Sequence, residues 1–514
     1  MTEGGERRGV GLRSERGAVL ASVMAATSLV ALDATVLATA VPTIVEELGG
    51  FSQFPWLFSI YLLTSAVTTP LFGRLADTHG RRPVLLAGIG IFVAASVLCA
   101  AAPTMALLVA GRALQGLGAG AVQPVSLTVV GDLYTVAERA RVQGYLASVW
   151  GMSAVVGPAI GGVASEYASW RWIFVVNLPV GAVAAWLLLR NLHENVERRE
   201  RSMDLAGAAL LVTGWSLVIL GLLEGGVAWP WRSVAGVGVP VTGVVVLGVF
   251  VAVERRAREP VVPLWVFRRR VLVGGALVQF GVGALLIGLD SYVPVFAQGV
   301  LGASAVVAGF ALAAMTVGWP LAATFSGRAY LRFGFRDTSL AGGVVLVLAM
   351  GGGVLLTAGS SLWAVTAVCF LAGIGLGLLS SPTMVAVQSS VGWEERGLVT
   401  GTAMFSRSLG SAVGVAGFGA LVTAVTTARL PAGADPARLA LDDGTPADVA
   451  RAVRAALTAA THDVFLVMTA VGLVTVAALL LMPRRSHTDG DEAGDEAHDS
   501  TTSSPTTGGS RAAA

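Results

Sequence analysis

Four charged side chains stand where a chain should carry none. Asp33 is the only ionisable residue in 18–40, Arg112 in 105–128, Asp290 in 271–297 (tyrosine aside) and Arg407 in 399–425. A charge near the centre of a bilayer costs about 2.5–3.5 kcal/mol on insertion scales, so such groups face a polar cavity or one another. A carboxylate in that position can exchange a proton, because burial favours its neutral form and a nearby guanidinium its ionised form. Arginine stays charged and must find acceptors. Asp33 is the natural partner for Arg112, and its chemistry would be either reversible protonation or the simpler task of tying two spans together. Asp290 is a second candidate proton or cation site.

The elements that position these groups follow from composition. Of 514 residues, 54% are hydrophobic and 13% charged, against about 25% charged in soluble domains. The chain therefore reads as an integral membrane protein. A spanning helix needs about 20 apolar residues, which places spans near 18–40, 54–73, 83–102, 105–128, 141–165, 172–190, 205–225, 233–253, 271–297, 302–326, 338–358, 361–386, 399–425 and 462–482. All basic residues are arginine, and they gather in every second loop, at Arg74, Arg81 and Arg82, at Arg139 and Arg141, at Arg268, Arg269 and Arg270, and at Arg328, Arg332 and Arg336. Positive loops face the cytoplasm, so both termini are expected there. The fold class is all-α and polytopic, with two six-helix bundles plus two inserted helices, 14 transmembrane helices in total. The domains are a cytoplasmic segment 1–17, an N-terminal bundle 18–190, the inserted pair 205–253, a C-terminal bundle 271–482 with an external loop 426–460, and a polar, disordered tail 483–514.

The two bundles are copies. GLGAG at 116–120 matches GIGLG at 373–377, and ERARVQG at 138–144 matches ERGLVTG at 395–401, both at an offset of 257 residues; GRLADTHGRR at 73–82 is echoed at 327–336. Leu331, Phe335 and Val415 stand where the first copy has Asp77, Arg81 and Pro158. Repeats of this kind suit a site between two halves that rock.

Several stretches carry a resemblance. Gly73–Arg82 resembles the loop signature between the second and third helices of the major facilitator superfamily, and LVAGRALQG at 108–116 its fourth-helix signature in proton-coupled members. Gly144 followed by SAVVGPAIGG at 153–162 is similar to the antiporter signature. LDATV at 32–36, WRWIFVVNLPVG at 170–181 and YVPVFAQ at 292–298 are similar to signatures of the fourteen-helix drug:proton antiporter branch. The resemblance implies a proton-driven exporter of small hydrophobic or cationic compounds, with no cofactor beyond the proton gradient, no metal, no nucleic-acid partner, and action as a monomer in the plasma membrane. A dedicated exporter of one metabolite, such as a self-made antibiotic, is the alternative.

The motifs also have physical readings. Gly73 and Gly80 permit a tight turn, Asp77 can accept from a neighbouring helix N-terminus, and Arg81 can pair with Asp132, together forming a gate; a merely topology-setting basic loop is the plainer reading. Ser153, Gly157 and Gly161 form a small-residue ridge beside Gly162, and Pro158 kinks the helix. That element is either an antiport hinge or packing alone. Tyr61, Gln123, Trp150, Phe280, Trp319 and Phe405 lie at depths where they could line a substrate cavity, and core packing is the alternative for each. Arg407 matches Trp150 by the offset and is structural by resemblance. The absence of lysine excludes a Walker-type nucleotide loop. The five histidines, at 79, 193, 462, 487 and 498, form no catalytic cluster in sequence.

Overall fold

The computed structural model describes residues 11–12, 14, 16–49, 56–194, 204–225, 228–257, 260–429 and 447–483. The tail from 484, most of segment 1–17 and the middle of the 426–460 loop lie outside them.

In hydrocarbon every backbone donor and acceptor must be satisfied within the chain, which leaves helices or closed barrels as the ways to cross, and apolar runs of about 20 residues suit helices. Fourteen helical spans are long and apolar enough, and no strand occurs among the described residues. The helices are α1 (Gly17–Leu48), α2 (Trp56–His79), α3 (Arg81–Ala100), α4 (Met105–Leu133), α5 (Val136–Tyr167), the short α6 (Trp172–Val175) and α7 (Asn177–Asn191) that share one span, α8 (Leu205–Glu224), α9 (Val234–Glu254), α10 (Arg270–Val295), α11 (Ala305–Phe333), α12 (Phe335–Val354), α13 (Leu362–Ser389), α14 (Arg396–Thr427) and α15 (Ala447–Leu479). Side-chain caps start many of them. Thr104 accepts from the Leu107 amide, Ser361 from Ala364, and Thr135 and Glu138 form a capping box at α5, so amides with no helical partner are not left bare.

Packing repeats across the two halves. α1 lies on α5 as α10 lies on α14, α2 on α4 as α11 on α13, and α3 on α4 as α12 on α13. The halves meet along two equivalent seams, α2 with α14 and α5 with α11. Helices α8 and α9 pair with each other, and α8 covers the outside of the α2–α14 seam through Trp215 and Ile219 against Leu63 and Phe405.

Three sequence expectations change. Residues 447–460 are not loop but the first turns of the 33-residue α15; Val453, Ala456 and Leu457 are buried in the C-terminal core, so the helix extends beyond the strictly apolar stretch. Gly73 is not at a turn but inside α2, whereas Gly80 (φ 94) is the residue that turns the chain into α3. Glu224, whose place at the edge of the 205–225 span would suit an exposed acid, is buried at the end of α8.

Candidate functional site

Five helical segments of the N-terminal half converge on Asp33. Arg112 Nη1 lies 2.5 Å from its Oδ2, Asn177 Nδ2 donates to Oδ1 at 2.9 Å and Gln115 Nε2 to the same oxygen at 3.2 Å. Arg112 also donates to the Leu57 carbonyl (3.0 Å) and to Gln115 Oε1 (2.7 Å), and its guanidinium lies over the Tyr61 ring at 4.3 Å. Ser96 on α3 accepts from both Gln115 and Asn177. The pair is thus fully networked, the condition under which two buried charges are tolerated. Asp33 is only 4% exposed and so buried in this conformation. Sequence reasoning picked Asp33 and Arg112 and missed Gln115, Asn177 and Ser96. Their signal was present: Gln115 follows Arg112 by three residues on the same helix face, and Asn177 is an amide inside an apolar run.

The second cluster closes the arginine-rich end. Asp77 Oδ1 and Oδ2 accept from the Gly397 and Leu398 amides (2.9 and 2.7 Å) at the start of α14, where free N–H groups favour an anion. Arg81 pairs with Asp77 (3.0 Å) and Asp132 (2.8 Å), donates to the Trp393 carbonyl (2.7 Å) and stacks on the Trp393 ring (3.8 Å). Arg396 reaches Asp132 from the other half at 3.4 Å, and Glu194 accepts from the Arg81 and Arg82 amides at the start of α3. Gly73 lets α2 touch α14: a Cβ there would strike the Gly397 carbonyl, and one at Gly397 the Gly73 carbonyl. Deeper on the same side, Arg139 donates to Ser389 (2.9 Å), Gln388 to the Leu127 carbonyl (3.1 Å), Ser381 to Gln143 and Tyr330 to the Val136 carbonyl. Every hydrogen bond between the halves among the described residues lies toward this end; none bridges them at the other.

The small-residue ridge packs α5 on α1. Cβ atoms at Gly157 and Gly161 would collide with Thr35 and Thr39, and Thr35 donates to the Ser153 carbonyl at 2.9 Å. Gly144 serves the other seam, against Thr324 of α11, while a Cβ on Gly162 would meet nothing. Gly162 therefore stands off the ridge. Helix α5 continues through Pro158.

The cavity candidates separate. Trp150 remains 36% exposed, on the face of α5 that carries Gln143 two turns away, and Gln123 is half-buried on the α4 face of Leu127. Phe280 is half-buried at the α10–α14 contact and Trp319 packs against the C-terminal core. Tyr61 and Phe405 do not line an open cavity. Tyr61 lies beneath Arg112, and Phe405 faces outward to Trp215, ring centroids 4.9 Å apart, because α8 gives that side of the seam an apolar cover. Asp290, deep in the α10 span, keeps surface uncovered by protein and has no hydrogen-bond or ion-pair partner among the described residues.

The sequence profile described as Major Facilitator Superfamily matches residues 23–415. The chain belongs to the Major Facilitator Superfamily. It is similar to the protein of Bacillus subtilis (strain 168) named multidrug transporter protein MdtP, 34% identical over 417 residues that cover 80% of this chain and 76% of the relative. It is similar also to that organism's multidrug resistance protein 3, 33% identical with 78% of each chain covered, and to the efflux pump dotC of Dothistroma septosporum (strain NZE10 / CBS 128990), 31% identical with 79% of this chain and 72% of the relative covered. The crystal structure of the human organic anion transporter MFSD10 (TETRAN) shares the fold, with a TM-score of 0.62 at 17% identity, covering 90% of this chain and 99% of that one. This superfamily member is a multi-pass membrane transporter and not an enzyme.

Proposed function

We propose that the protein is a proton-driven antiporter that exports small hydrophobic or cationic compounds by alternating access. The observation that carries this reading is the joint presence of a buried, ion-paired carboxylate inside one half and a polar gate that closes one end only. By the positive-inside rule the gated end is cytoplasmic, so this conformation is closed inward and releases toward the outside. Names given to the relatives, multidrug transporters and efflux pumps, agree with it. Opening the gate breaks the buried, charge-assisted contacts of Asp77, Arg81 and Asp132, and tilts the halves along the α2–α14 and α5–α11 seams. Protonation precedes this opening: in the outward-facing state a proton from outside neutralises Asp33 and loosens its pair with Arg112, and once the gate has opened Asp33 releases that proton to the cytoplasm. A proton entering along the gradient resets the cycle; the membrane potential adds about 2.3 kcal/mol per charge per 100 mV. The protein works as a monomer in the plasma membrane with both termini inside.

Inverted vesicles containing the protein test the proposal. With an imposed pH gradient, acid inside, ethidium accumulates against its own gradient and is released when the pH gradient is collapsed. Ethidium flux that only ever runs downhill contradicts a pump and favours a channel.

A further inference from the structure

Among the described residues, Arg407 is the one arginine deep in a span without a partner. It lies eleven residues from the start of α14, about 16 Å at 1.5 Å per residue, close to mid-depth of a core about 30 Å thick. Arg112, the charged arginine inside α4, has a carboxylate, an amide and a carbonyl. Among the described residues Arg407 has no hydrogen bond, no ion pair and no ring beneath it, and no acidic group close enough to interact with its charge. It is nevertheless only partly buried.

Its direction follows from the helix periodicity. Residues 400, 404, 407 and 411 form one stripe of α14. Thr400 meets Gln388 of α13, Met404 shares a buried cluster with Met384 of α13 against which Leu127 of α4 packs, and Ser411 donates to the Gly283 carbonyl of α10. Arg407 therefore points inward, toward the space between the halves, and not to lipid. On α10 the facing stripe is 279, 283, 286 and 290. A Cβ on Gly283 would strike the Arg407 carbonyl, which sets the two stripes side by side. One turn toward the gated end, Gln279 is almost fully buried, accepts from Ser380 through Oε1 at 3.3 Å, and has an Nε2 with no acceptor. A buried donor without a partner costs about 1–3 kcal/mol, and a bare guanidinium more. Two such donors on adjoining inward faces are what an oxyanion would satisfy.

We propose that Arg407 and the Gln279 amide form an anion subsite in the transport pathway, which takes the carboxylate or similar oxyanion of an otherwise apolar organic acid. The planar guanidinium suits a carboxylate, which it can engage through two parallel bonds. Asp290 lies on the same α10 stripe two turns farther from the gate, about 10 Å along the helix from Gly283, and would meet a cationic group on the same compound. The subsite rests on the transporter reading above and extends its substrate class to acids and zwitterions.

Binding to the purified full chain in lipid nanodiscs, measured by fluorescence with pyrenebutyrate and its uncharged methyl ester, tests the subsite without transport. The native protein binds the acid about tenfold or more tighter than the ester. Arg407→Gln brings the two within about twofold while still binding the ester, Arg407→Lys keeps part of the preference, and Gln279→Leu narrows it. Should Arg407→Gln fail to bind either probe, the Lys and Leu variants decide the matter. Equal binding of acid and ester by the native protein, or a preference that survives these substitutions, overturns the subsite. Failure of the ethidium experiment strikes the pump reading instead and leaves this comparison intact.

Discussion

Two copies of one helix arrangement treat the same positions in opposite ways. At the 257-residue offset, Asp33 corresponds to Asp290 and Arg112 to Cys369. In the first half the acid is held by an arginine, a glutamine and an asparagine. In the second, the acid survives, a buried free cysteine faces it in place of the guanidinium, and Ala372 replaces Gln115. Trp150, an uncharged ring, corresponds to the unpaired Arg407. The first half thus holds a charge pair and the second separates its charges and leaves them open. A buried pair suits a device that switches, and open charges suit a surface that meets variable ligands. Duplication gave both halves the packing, and divergence of a few polar positions divided the work.

Making the halves alike breaks that comparison. Arg112→Cys gives the first half the second's residue and leaves Asp33 buried without its partner, which costs about 3–5 kcal/mol. Thermal unfolding in detergent reads this, and adding Asp33→Asn to the same chain recovers most of the loss. The gate gives the next effect. Asp77→Asn removes the charge shared by two amides and Arg81, weakening closure by about 1–3 kcal/mol. A cysteine placed at Gln123 is then labelled faster by an impermeant maleimide in inverted vesicles. The smallest effect lies at the far end of α1, where Glu47 accepts from Arg171 (2.5 Å) and Trp170 (2.6 Å) beyond the apolar span. Those bonds, that from Arg171 foremost, hold its carboxyl below the ordinary glutamate value. The stability they give is present above the unfolded-state value and disappears as pH falls through the lowered one. Glu47→Gln therefore flattens the acid limb of thermal stability and leaves its neutral plateau nearly unchanged.

Much of the fold was legible because bilayer thickness fixes span length and arginine placement fixes alternation. The 14 spans needed no more than that, and the duplicated halves needed only the motif matches at a constant offset. Spacing also picked out Asp33 with Arg112 and Asp77 with Arg81 and Asp132, since an ionised group in an apolar run demands a partner. Legibility stopped where the answer depends on helix rotation. Tyr61 and Phe405 sit at cavity depth, yet Arg112 and the inserted α8 claim their faces. Gly73 reads as a turn residue until α14 is seen against it. The start of α15 was missed because its first turns, with Arg451 and Arg454, are less apolar than a span and are held by packing. Arg407 reads as structural in sequence, and its want of a partner among the described residues is visible only in three dimensions.

Accumulation of ethidium driven by a pH gradient into inverted vesicles, compared between the native protein and Asp33→Asn, tests most directly whether the buried acid carries the proton. Vesicles carrying the Asp33→Asn variant are expected to exchange labelled for unlabelled ethidium at near-native rates while losing concentrative uptake. Undiminished concentrative uptake by that variant would contradict the proton-carrying role of the acid.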